Sequence, residues 1–342
     1  MGRATVHDVA RAASVSLATV DRVLNRRGGV RAATIEKVEQ AVDRLAYRRD
    51  AAAATLAKQR EYRLAFVIPT GVNSFLASLA LEVRKLADVL RSERVFLSIV
   101  EVPPFDGEAL VEALDRLRAQ PLTGVAVVAT DHAPVRLAVG GLAARGVGVV
   151  TLVSDAPGSG RAQYVGIDNS AAGRTAASLM GRFLRGVSGH IAVVAGSMLL
   201  RDHAERRFGF EQVLRTEFPD LAPLPVVEGL DNAAVAEEAL GALLDRHGDI
   251  VGVYSLGAGN RGIIAALRKR GLAGKICVIA HELTAYSRTA LNDGDFAAIL
   301  SQNPGDEARS AMRILRALAD GVAIDSDQER IRIEIYLRDN LP

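Results

Sequence analysis

Within residues 5 to 25, four short hydroxyl or amide side chains, Thr5, Ser16, Thr19 and Asn25, flank Leu17, Ala18 and Arg22. A helix lying in the major groove offers its first side chains to base edges, and short polar groups hold phosphates. Arg22, about one turn beyond Leu17 and Ala18, suits base reading, and the four polar residues suit backbone contacts. The same spacing fits a plain three-helix bundle whose Arg22 is merely solvated, and both readings stay open on spacing alone. Farther along, His281 beside Glu282 invites a metal reading, but no second His/Glu pair at ligand spacing accompanies it. A pair of loop acceptors is preferred, and no metal or cofactor is expected. Cys277, between Ile276 and Val278, reads as a buried strand residue. No G-x-S-x-G or Walker loop is present, and the chain is not read as an enzyme.

Those polar residues need helices to hold them. Val6, Val9, Ala10 and Ala13 recur at helical spacing behind Thr5 and Asp8, which form a capping-box pattern. A second stripe, Leu17, Val20, Val23 and Leu24, follows Ser16, a good N-cap. A third, Ile35, Val38, Ala41, Val42 and Leu45, follows the turn at Asn25-Arg26-Arg27-Gly28-Gly29. Three helices in so short a span, with a tight turn between the first two, predict an all-α helix-turn-helix head. Charge agrees: residues 1–60 carry 12 basic and 6 acidic side chains, whereas 61–342 carry 30 and 34, although a basic tail can also serve solubility alone.

From Arg63 the pattern becomes apolar runs alternating with helical stretches. LAFVIP (64–69), VFLSIVEV (95–102), GVAVVAT (124–130), GVVTLV (148–153), HIAVVAG (190–196), LPVVEG (224–229), IVGVYSL (250–256), KICVIAHEL (275–283), FAAILSQ (296–302) and IRIEIYL (331–337) read as strands. Most are continuous Val/Ile/Leu runs, as expected for strands covered on both faces of parallel, doubly wound sheets. So long a segment predicts two such lobes with a cleft between them. The expected divisions are a head at 1–48, a hinge or linker at 49–60 and a binding domain at 61–342. Its first lobe is placed at about 61–162 and 291–325, its second at about 163–290 and 326–342. One cysteine, no apolar segment behind the N-terminal charges and no eighteen-residue apolar run suggest a cytoplasmic chain without a membrane span.

TVHDVARAASVSLATVDRVLN, continuing through TIEKVEQAVDRLAY, resembles the DNA-binding head of the lactose-repressor (LacI) family of bacterial transcription regulators. Residues 61–342 resemble that family's sensor domain, of the type I periplasmic-binding-protein kind. The resemblance places Thr5, Ser16, Thr19 and Asn25 on backbone-contact positions and Leu17, Ala18 and Arg22 on base-reading ones. Leu56, in DAAAATLAKQ, matches the leucine that a hinge helix pushes between base pairs, a wedge that kinks DNA; without the resemblance this segment reads as a linker. The chain departs from the family at Ser14, where Gly is usual, at Asp21, at Arg31, where a Ser or Thr cap is usual, and at Arg48-Arg49.

The resemblance also implies an effector site at strand ends, where doubly wound sheets bind ligands. Asn73 and Phe75 in PTGVNSF match a loop whose aromatic ring packs on a sugar face, a core Phe being the plainer reading of Phe75. Arg206 in RDHAERRFGFEQVL matches an effector-binding arginine, whose fork holds two sugar oxygens or a carboxylate. Arg201, Asp202 and Arg207 beside it read as surface ion pairs. Glu282 and Gln302 match ligand acceptors, Ser255 and Asn260 stand in for a usual Asn-Asp pair, and Asp155 is grouped with them. Asp168 and Asn169, in YVGIDNSAAGRTAA, are left between helix capping and ligand contact. The implied protein is a homodimeric repressor on a palindromic operator in double-stranded DNA, released by a sugar or polyol. A nucleobase effector or a solute-binding protein is the alternative.

Overall fold

The computed structural model describes residues 6–24, 30–45, 60–325 and 327–342. Thr5, Asn25 and Leu56 lie outside these residues, as do the side chains of Leu17 and Ala18. The chain divides into two units, Met1–Arg60 and Glu61–Pro342.

In the first unit α1 (Val6–Ala13), α2 (Leu17–Leu24) and α3 (Ala32–Arg44) bury Val9, Ala10, Ala13, Val20, Val38 and Ala41 against one another. These six belong to the stripes read from the sequence, and Val23, Leu24, Val42 and Leu45 pack partly buried against them. Ser14, the departure from Gly, has φ 54° and ends α1 in a left-handed turn. There its N–H donates to Arg11 O at 3.2 Å and that of Val15 to Ala10 O at 3.1 Å, the paired bonds of a Schellman motif. Ser16 then caps α2, its Oγ accepting from Thr19 N at 3.2 Å. Arg31 begins α3 with no side-chain cap.

The second unit has two sheets. In the first, β1 (Tyr62–Pro69), β2 (Val95–Val102), β3 (Gly124–Val127), β4 (Gly148–Leu152) and β5 (Gln163–Val165) lie parallel in the order β2-β1-β3-β4-β5. Between them run α4 (Ser74–Leu90), α5 (Gly107–Arg118) and α6 (Ala133–Ala143). The second sheet contains β6 (Gly189–Ala195), β7 (Leu221–Pro223), β8 (Val227–Glu228), β9 (Ile250–Ser255), β10 (Cys277–His281), β11 (Ala298–Ser301) and β12 (Glu334–Tyr336). Its order is β12-β11-β10-β9-β6-β7, β8 also pairing with β6, and only β12 runs antiparallel. The helices around it are α7 (Asn169–Phe183), α8 (Arg201–Glu217), α9 (Ala233–Arg246), α10 (Asn260–Lys269) and α11 (Ala285–Asn292). The final helix, α12 (Pro304–Asp320), returns to the first lobe, where Leu315 and Leu318 pack over Gly124 and Gly148.

Two expected boundaries shift. β5 pairs with β4, so the chain leaves the first lobe after Val165. β11 pairs with β10 in register Ile279↔Ala298, so the return falls after Ser301, not near 291. Its apolar run is an inner strand of the second sheet, shielded by β12 from the edge. LPVVEG also holds no continuous strand, because Pro223 and Pro225 confine pairing to β7 and β8.

Candidate functional site

Between the lobes, at the C-terminal ends of the strands, lies a cavity of 470 Å³. Asn73, Phe75, Arg206, Glu282 and Gln302 line it; Asp155 and Ser255 do not.

Arg206, 2% exposed, projects from α8. Its Nε donates to Asn169 Oδ1 at 2.8 Å and Nη1 to Leu256 O at 2.7 Å, while Asn169 itself donates to Tyr164 OH at 3.0 Å. Asp168 caps α7 by accepting from Ala171 N. The YVGIDN segment therefore divides its work: Asp168 starts the helix and Asn169 orients the arginine. Helices α7 and α8 must touch for this to happen. A Cβ at Gly173 would stand 2.0 Å from Arg206 O, and one at Gly209 2.1 Å from Ser170 O. Arg206 Nη2 has no hydrogen-bond partner among the described residues; it lies 3.7 Å from Glu282 Oε1 and 3.9 Å from Asp202 Oδ2.

Glu282 follows β10 with φ 70°, a left-handed conformation costly for a side-chain-bearing residue. Its N–H bonds Leu300 O and its carbonyl accepts from Ser287 Oγ, which hold that conformation. Its carboxylate accepts from Gln302 Nε2 at 2.9 Å. Burial pushes the carboxyl up to about 7, against the pull of Arg206 and Gln302. Its neighbour His281 is bound through Nε2 to Tyr254 OH at 2.8 Å, and burial, then Arg206, holds its pKa well below the usual imidazole range.

From the first lobe, Asn73 caps α4, its Oδ1 accepting from Phe75 N and Leu76 N. Its Nδ2 donates to Asp231 Oδ2 at 2.7 Å, joining the two lobes. Phe75 is buried and presents part of the cavity wall. Phe75 is thus at once a core residue and part of the wall.

Three expectations need correction. Asp155 is occupied elsewhere, accepting from Thr151 Oγ1, Ala156 N and Arg161. Val153, at φ 64°, turns the chain so that Val153 and Ser154 line the cavity instead. Ser255 is fully buried and donates to Asn260 Oδ1 at 2.8 Å, acting only through Asn260, which does line the wall. Asp202 is 4% exposed and lines the cavity, unlike Arg201 and Arg207, which pair with Glu205 and Glu211 on the part-exposed face. Asp231, which carries no motif, and His203, inside RDHAERRFGFEQVL but not singled out there, also line it.

The cavity is short of partners. Ser154 Oγ, Asp202 Oδ1, Arg206 Nη2, Asp231 Oδ1, His281 Nδ1 and Gln302 Oε1 are buried without a hydrogen bond among the described residues. An unmet buried polar group costs about 1–3 kcal/mol, so such a set marks a place for a polar ligand. Three of these atoms only accept, and Arg206 Nη2 only donates. In the head, Arg22 is exposed, and Ser16 and Thr19 bond each other, Oγ to Oγ1 at 2.9 Å.

Residues 64–323 match the family model of the periplasmic binding protein domain, and residues 5–50 match that of the bacterial regulatory proteins of the lacI family. The chain belongs to the periplasmic binding protein domain family, and the segment ahead of that domain matches the lacI-family head. Curated relatives include catabolite control protein A of Streptococcus mutans, 35% identical over 121 residues, which are 35% of each chain. The transcriptional regulator pepR1 of Lactobacillus delbrueckii is 34% identical over 110 residues, 32% of this chain and 33% of that one. The matched stretch thus spans about a third of these curated relatives. Among solved structures, a glucose-galactose binding protein from Geobacillus stearothermophilus superposes with TM-score 0.75 at 20% identity, covering 83% of this chain and 99% of its own. A solute-binding protein from Burkholderia graminis, in complex with D-arabinose, gives 0.74 at 23%, covering 86% and 98%. These likenesses establish the fold of the second unit. Among the described residues, no helix is long and apolar enough to cross a membrane.

Proposed function

We propose that this protein is a sequence-specific DNA-binding transcription regulator that represses carbohydrate or polyol genes and leaves its operator when a neutral polyhydroxylated effector enters the cleft. The observation that carries the reading is the set of unpartnered buried atoms around Arg206 in a chain that also has a lacI head. Acceptors predominate, and each hydroxyl of a sugar brings a donor to them. A phosphate or carboxylate brings oxygens that would face Asp202, Asp231 and Glu282. The D-arabinose held by the Burkholderia protein supports the sugar class.

Binding between the lobes favours one closure state over another, and the free-energy difference passes through residues 49–60 to the head. Two protomers on a palindrome would place their recognition helices about one DNA turn apart. Thermal-shift titration of the full chain against monosaccharides, polyols, sugar phosphates and nucleobases tests the effector class, because a ligand of the folded state raises its stability. Stabilisation by a neutral sugar, with loss of operator binding at the same concentration, is expected. Stabilisation by phosphorylated sugars or nucleobases alone would refute the reading.

A further inference from the structure

Away from the cleft, three potential metal ligands meet at the opposite, N-terminal edge of the second sheet. His190 is the second residue of β6, His247 is the C-cap of α9, and Asp249 directly precedes β9. His190 Nδ1 lies 2.8 Å from Asp249 Oδ2, and the two imidazole centroids are 5.6 Å apart. One ligand atom from each residue falls within 4.8 Å of the others.

We propose that His190, His247 and Asp249 form a divalent transition-metal site, with zinc as the ion it fits. Two imidazoles and one carboxylate are a borderline donor set of the kind that suits zinc, and three protein ligands leave a fourth position for water.

Several features specify the placement. The pairing of β6 with β9 shifts register between His190 and Ile191, a bulge of the type that re-aims a side chain. Backbone bonds fix the partners: His190 N donates to Asp249 O at 2.9 Å, and His247 N to Leu243 O at 2.9 Å. At Gly189 a Cβ would stand 2.5 Å from Asp249 O, so the close approach that brings the strand to Asp249 requires glycine. Both histidines are half-buried and Asp249 is exposed, which leaves the ion a route in from solvent. The site also adjoins the carbonyl end of α9, where a cation is favoured. A bound ion would tie the start of β6, the end of α9 and the entry to β9 together.

The test is calorimetric titration of the tag-free full chain with zinc chloride, beside its melting temperature in zinc and in chelator. One equivalent per chain is expected, with a melting temperature that rises with zinc. His190→Ala and His247→Ala should each abolish binding, and Asp249→Asn should weaken it at least tenfold. The chain's remaining histidines are the internal control: one equivalent retained in His247→Ala, shown folded by circular dichroism, overturns the assignment. So does the absence of binding by the wild-type chain, which would leave His190 and Asp249 as an ordinary hydrogen-bonded pair.

Discussion

Asn73 Nδ2 and Asp231 Oδ2 meet at 2.7 Å across the effector cleft, one residue from each lobe. A second bridge, Arg201 to Asp131 at 3.2 Å, also joins the two lobes. Asn73 also caps α4, and the latch and the helix start are therefore one side chain.

Asn73→Asp separates these two duties. Aspartate caps a helix as well as asparagine does but places a carboxylate against Asp231. We predict more open lobes and effector affinity lower by about tenfold, a charged hydrogen bond being worth about 1.5–3 kcal/mol. Small-angle scattering and ligand titration measure both; an unchanged radius of gyration and affinity would remove the latch.

Arg206→Lys keeps the charge and loses the fork. Asn169 and Leu256 O then compete for one ammonium, and the direction fixed by Nε and Nη1 is lost. Effector affinity should drop at least about tenfold while operator binding without effector stays at the wild-type level, as read by fluorescence anisotropy. Full retention of the effector response would show that the arginine is structural only.

Glu282 gives the apo protein a pH dependence. Its carboxyl is raised from 4.5 to about 7, so between those values the folded state holds a proton that the unfolded chain has released. Stability should therefore decline as pH rises from about 4.5 to about 7 and level off above. Glu307 and Asp231 are raised as well, so the informative quantity is the difference from Glu282→Gln. Effector affinity should rise over the same interval, because the ionised carboxylate is the better acceptor, and the variant should lose that rise. Parallel melting curves for the two proteins across pH 4 to 8 would rule this assignment out.

Ser14→Gly should stabilise the head. A left-handed backbone costs an ordinary L-residue about 1–2 kcal/mol, and glycine is released from that cost while keeping both Schellman bonds. We expect a gain of about 1 kcal/mol in chemical denaturation of the head. A loss would mean that the serine side chain has a role its turn geometry does not show.

The elements were largely legible because both periodicities are clean: the stripe Val9, Ala10, Ala13 and the run of β3 are buried as they read. Arg206, Glu282 and Gln302 were legible because distinctive side chains stand at strand ends or beside a known motif. Asp231 was not. In GLDNAAV the visible signal is Asn232, which caps α9, whereas Asp231 reaches the cleft because Leu230 and Asp231 are both left-handed, at φ 48° and 53°. The exchange of Ser154 for Asp155 has the same origin in Val153. No period of 2 or 3.6 encodes a local reversal of handedness. Nor does an apolar run reveal which of two similar sheets it joins, and β11 was misplaced for that reason.

Helix α12 completes the lobe that begins the second unit: Tyr62 OH in β1 donates to Asp320 at its end, 258 positions away in sequence. During synthesis the strands of that lobe emerge long before the helix that covers them, and the second sheet waits longer still for β12 to close its edge. Neither lobe is finished until residues 304–336 have been made. Maturation of the sensor is thus a single late event rather than two successive ones, and a polypeptide broken off before residue 304 would expose apolar sheet in one lobe and an unpaired strand edge in the other.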